Sequence, residues 1–102
     1  MTQKDDDRAT LGGLPGSGYA VVESLASLGK GRRLNGLFRT SPEHRARLTE
    51  DLNARRRVLF DGPVHFRHHS KRAALEVELA RIEDEKGQLL VEFIAQDVPY
   101  SL

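Results

Sequence analysis

The chain has 102 residues, enough for one small domain with a modest core, and its formal charge is only +1 although 30% of its residues are Asp, Glu, Lys or Arg. It contains no cysteine, which excludes disulfides, thiolate zinc sites and cysteine nucleophiles. No stretch approaches the roughly 18 apolar residues that span a bilayer, and the opening "MTQKDDDRAT" is acidic with no apolar run, unlike a signal peptide; a soluble, cytoplasmic protein without membrane association is expected.

Residues 1–18 end in "LGGLPGSG" and show no period, which predicts a flexible lead-in to a single domain over residues 19–102. "YAVVESLASLG" places Val21, Leu25 and Leu28 at helical spacing with Gly29 as a stop, although its two valines also suit a strand. A basic loop, "KGRRLNGLF", follows, with Leu34, Leu37 and Phe38 expected to dip into the core. "SPEHRARLTEDLNARRRVLF" is the clearest helix signal. Ser41 suits an N-cap, Pro42 the first turn and Glu43 the positive end of the helix dipole. Leu48, Leu52 and Leu59 then share a face, and Arg55 to Arg57 lie where positive charge opposes the dipole. After "DGP", three strands are predicted: "VHFRHHS", "AALEVELARI" and "QLLVEFIAQDV". In the second, Leu75, Val77 and Leu79 alternate with Glu76 and Glu78, and in the third Val91 and Phe93 belong to the inner set. Short connections between them require an antiparallel meander.

Charge is unevenly distributed. Lys30 to Arg72 holds twelve bases against four acids, a local +8, whereas Ala73 to Leu102 holds two bases against seven acids, a local −5. Such asymmetry points to an acidic partner, to nucleic acid or to contact between copies, unless both regions are solvated faces.

"VHFRHHSKR" carries three of the four histidines within five positions. On a continuous strand, His65, Arg67 and His69 would share the outer face, and Val64, Phe66 and His68 the inner one. His65 and His69 would then stand roughly 13 Å apart at ~3.3 Å per residue, too far for one metal ion. No metal site is expected, and His68 becomes a candidate core or cavity residue beside Phe66, Leu75, Val77, Val91 and Phe93. "GSGYAV" follows no predicted strand and "LGKG" lacks the flanking residues of a phosphate loop, so neither supports nucleotide chemistry. No nucleophile with a paired base emerges, and the chain reads as a non-enzyme.

The order of a "SPEH" helix start, Gly62 before the first of three strands, an Asp84-to-Gly87 turn and a last strand closing on Asp97-Val98 resembles the C-terminal half of a PAS sensor domain, over about residues 34 to 98. Two features depart from it: Ser70-Lys71-Arg72 replaces the usual Lys-Asp-Gly turn, and only about forty residues precede the long helix, where that family has two strands and several short helices. The resemblance implies an α+β fold, an antiparallel sheet of at least three strands with helices packed on one face. It implies no haem or flavin here, because the flavin-linked cysteine is absent and His44 lies in the first helical turn; a small ligand remains compatible with it. A regulatory module follows, acting through homodimerisation or a partner signalling protein. The alternative is a basic nucleic-acid-binding adaptor, with Lys30, Arg32, Arg33, Arg55, Arg56 and Arg57 as phosphate or partner contacts. "ARRR" ahead of a β-rich stretch is also similar to PilZ dinucleotide receptors, but the Asp-x-Ser-x-x-Gly motif of that family is absent and no site residues carry over.

Overall fold

A computed structural model describes residues 7–24 and 32–98. Strands β1 (Arg8–Leu11), β2 (Leu14–Ser24) and β3 (Arg32–Thr40) lead through a 3-10 turn at Pro42–His44 into helix α1 (Arg45–Asn53), and β4 (Arg57–His65), β5 (Ser70–Glu85) and β6 (Gln88–Val98) follow. The strands close into a barrel in the order β1-β2-β3-β6-β5-β4, with β1 antiparallel to β4 and a short parallel contact between β2 and β4. This overturns the expected α+β, PAS-like sheet with helices packed on one face. Among the described residues one α-helix, α1, closes one end of a barrel whose core is built almost entirely from strands.

Several local expectations change with it. From Arg8 onward the predicted lead-in forms the β1–β2 hairpin, turning through Gly12 and Gly13, both at positive φ. The predicted helix at 19–29 is strand as far as Ser24, and its later residues lie outside the described ones, as does Lys30. The inward positions of β2 are Gly16, Gly18, Ala20 and Val22, small residues that leave room for Phe38 and for the backbone of β3. The predicted basic loop is β3, with Leu34, Gly36 and Phe38 buried and Leu37 on the outer side. Gly36 is required there because the ring of Phe93 occupies the place of its missing Cβ.

Helix α1 is shorter than its sequence signal. Arg55 takes φ 55°, its N–H bonds to Leu52 O at 3.1 Å, and Arg56 N–H bonds to Asp51 O at 3.0 Å. These are the bonds of a Schellman stop, which the chain adopts without glycine. Leu59 therefore falls in β4 and is 50% exposed, not on the helix face. Ser41 holds the N-cap position of the 3-10 turn, but its hydroxyl makes no capping bond.

Three consecutive strands do pair as an antiparallel meander. The first is β4 at Arg57–His65, however, and most of the predicted first strand, "VHFRHHS", forms the turn that follows it. β5 pairs with β4 from Ser70 to Glu78 and with β6 from Glu78 to Glu85, shifting register between Leu79 and Arg81. One long strand thus serves two neighbours in succession. The interior is filled by Leu11, Phe38, Phe60, Val77, Val91 and Phe93 among others, with Phe60 and Phe93 in tilted contact at 4.7 Å between centroids. Leu48 of α1 is 1% exposed and seals one end. A barrel this narrow is packed with side chains and leaves no channel.

Candidate functional site

The two ends of the barrel differ in what they do with charge. At the helix-closed base, four arginines are matched with acids, whereas Arg55 and Arg57 are exposed. Arg39 Nε meets Glu85 at 3.1 Å, Arg45 pairs with Asp84, and Arg56 Nη1 donates to Asp51 at 3.0 Å. The Asp51 carboxylate, 8% exposed, also lies 4.0 Å from Arg47. The hydrogen bond that Arg56 donates to Asp51, with the charge of Glu50 nearby, holds its guanidinium above the ordinary pKa.

The opposite end is a mouth built from the last inward positions of each strand. β4 ends at His65, and the chain reverses through Arg67 and His68 in a tight turn closed by Phe66 N–H donating to His69 O at 2.7 Å. The turn corrects the strand-parity reading. Phe66 and His69 are opposed residues across a hairpin, so their rings stand on the same side, stacked at 4.6 Å between centroids and 5° between planes. His65 Nδ1 and Ser70 Oγ close the next pair at 2.7 Å.

Two cations join the stacked rings. Arg32, the first inward position of β3, lies 5.5 Å from the Phe66 centroid, and Lys71 Nζ of β5 lies 5.8 Å from it. Both distances fall in the cation–π range. Above Val22, a hollow of about 500 Å³ is bounded by Arg32, Phe66 and His69, by Glu23 and by the turn residues Arg67 and His68. That size lies within the usual span of ligand sites. Among the described residues, no acid comes within ion-pair distance of Arg67 or Lys71. Glu23 is the one acid lining the hollow, and it accepts a 3.4 Å hydrogen bond from Asn35.

The sequence-based candidates divide as follows. Phe66 and His68 line the hollow, but His68 is exposed at the turn and is not a core residue. Val77, Val91 and Phe93 are barrel core, and Leu75 packs against that core. Arg32 belongs to the mouth, while Arg33 points outward on β3 opposite Glu23 of β2. Arg55, Arg56 and Arg57 sit at the base, at the other end from Arg32, so the expected basic set does not form one surface. The sequence reading missed His69 and Lys71. Their signal was available in the hairpin, where Phe66 and His69 flank a two-residue turn.

Among the described residues, no three His, Asp or Glu side chains gather as metal ligands, and no helix is long and apolar enough to cross a membrane. The chain matches no family model, no curated protein and no solved structure.

Proposed function

We propose that this chain is a non-catalytic nucleic-acid-binding module that holds a single strand of RNA or DNA at the barrel mouth. The observation that carries the reading is the stacked Phe66–His69 pair flanked by Arg32 and Lys71. Nucleic-acid single strands are held by this combination elsewhere: cations attract the phosphates, and flat rings stack on bases without selecting among them. His69 is exposed, so a base can extend the two-ring stack on the side away from Phe66. Arg67 and Lys71 are positioned to meet the phosphates on either side of that base. Small β-barrels commonly use one end or face in this way.

The barrel geometry adds an argument from pattern. The inward positions of β3 and β5 carry no charge through the core and become cationic only in the last layer, at Arg32 and Lys71, beside the Phe66–His69 stack. A departure from core patterning confined to one layer marks function more often than stability.

The experiment is fluorescence anisotropy with a labelled oligonucleotide of mixed sequence, titrated at several salt concentrations. With Arg32, Arg67 and Lys71 as phosphate contacts, log affinity should fall against log salt with a slope of about −2, taking ~0.7 per contact for a single strand. Phe66→Ala should weaken binding about tenfold or more through loss of the stack. Absence of binding at low salt, or binding indifferent to both Phe66→Ala and Lys71→Gln, would overturn the proposal.

A further inference from the structure

Closing the barrel does not close every strand edge. Residues 70–77 of β5 pair with β4 on one side, and β6 joins the other side only from Glu78, opposite Ile94. Beyond that point β6 leaves with β3, pairing Ala95 with Leu34 and Val98 with Arg32. Among the described residues, no strand pairs with the second edge of 70–77. A notch of about 430 Å³, lined by Glu76, Val77, Ile94, Ala95 and Gln96 with Arg57, lies where the two strands part.

The direction of the free backbone groups follows from the hairpin. Phe66 N–H donates to His69 O, so these two form a hydrogen-bonded pair, and such pairs recur at every second position along an antiparallel ladder. Lys71, Ala73, Leu75 and Val77 therefore spend their backbone groups on β4. Arg72, Ala74 and Glu76 turn theirs to the open edge. Pro63, opposite Arg72, fits this phase, because its missing N–H falls at a position that makes no bond to β5.

We propose that this edge pairs with the same edge of a second copy of the chain, antiparallel and centred on Ala74. The occupant is indicated by self-complementarity. A twofold axis at Ala74 sets Ala74 against Ala74, Arg72 against Glu76 of the second copy, and Glu76 against its Arg72. All of these are residues whose backbone groups face outward from the ladder. On the other face, Ala73 and Leu75 of one copy meet Leu75 and Ala73 of the other. The exposed side chains at the axis are two alanines, which permit close approach, and each flanking pair joins opposite charges. Arg72 is held in place in part by donating to Arg8 O at 2.6 Å, and a guanidinium with five donors can add a carboxylate to such contacts. An open edge is ordinarily guarded against pairing by like charge or proline. Here its charges alternate in the order that pairing with itself requires. The interface is independent of nucleic-acid binding at the mouth.

The test is sedimentation velocity of the full chain over a wide concentration range. The wild type should show a reversible monomer–dimer equilibrium. Ala74→Pro removes an N–H that makes no bond within the barrel, so the variant should keep its circular dichroism spectrum and remain monomeric. Glu76→Arg should weaken the dimer about tenfold by opposing two arginines across each half of the axis. The double variant R72E/E76R should recover the affinity. If Ala74→Pro does not fold, the charge-exchange series alone decides. A wild type that stays monomeric to millimolar concentration overturns the proposal, whether or not it captures an extended peptide. Dimerisation unchanged by Ala74→Pro and by Glu76→Arg also overturns it.

Discussion

The base and the mouth of this barrel both carry positive side chains and hold several of them in opposite ways. At the base, Arg39, Arg45 and Arg56 are each met by a carboxylate, and Leu48 seals the core beneath them. At the mouth, Arg32 and Lys71 lie against an aromatic ring, and Arg67 stands at the tip of a turn. Paired exposed charges contribute little to stability and leave little field for a ligand. Arg67 and Lys71, with no acid among the described residues within ion-pair distance, keep their attraction for an anion. Net charge is blind to this difference, which is why a near-neutral chain can still present a basic site.

Substitutions should separate the two ends, base changes acting on folding and mouth changes on binding. The largest effect is expected at Leu48→Ala, which opens the sealed end and should cost about 2–5 kcal/mol in urea unfolding. Full stability in that variant would show that the helix is not a structural cap. Gly36→Ala follows at about 1–3 kcal/mol, because the new methyl overlaps the Phe93 ring; thermal unfolding followed by circular dichroism reads it. Asp51→Asn should cost about 1–2 kcal/mol by weakening the charge-assisted bond from Arg56, with affinity for an oligonucleotide unchanged. Lys71→Gln is the smallest. It should leave stability within about 0.5 kcal/mol and make the salt slope shallower by about 0.7. A mouth substitution that unfolds the chain, or a base substitution that abolishes binding without unfolding it, would erase the distinction.

The parts of the fold legible in the sequence were those with one apolar face. β5 and β6 alternate cleanly because Val77, Leu79, Val91 and Phe93 all point into the core. β2 was hidden for a steric reason. Its inward face is glycine, glycine, alanine and valine, since the space at its glycines is taken by Phe38 and the backbone of the neighbouring β3. Hydrophobic periodicity cannot register a strand whose core contribution is empty space. The helix was read too long because Leu59 falls by coincidence on the face set by Leu48 and Leu52, and the stop uses Arg55 where glycine would have announced it. The site was half legible. Phe66 and Arg32 were named, but the turn at Arg67–His68 has no glycine, proline or asparagine, so the strand was extended through it and His69 was placed on the wrong face. A single undetected reversal was enough to scatter a cluster that the structure gathers.

The two-partner use of β5 also bears on the order in which the molecule assembles. β4 with β5, and β5 with β6, are joined by short connections and need little chain entropy to meet. Contacts such as Phe38 with Val91 join segments far apart in the chain and complete the barrel only when β3 reaches β6. Folding should therefore begin in the C-terminal meander and be limited in rate by this distant closure. Substitutions at Val77 should then slow folding, while those at Phe38 should chiefly hasten unfolding.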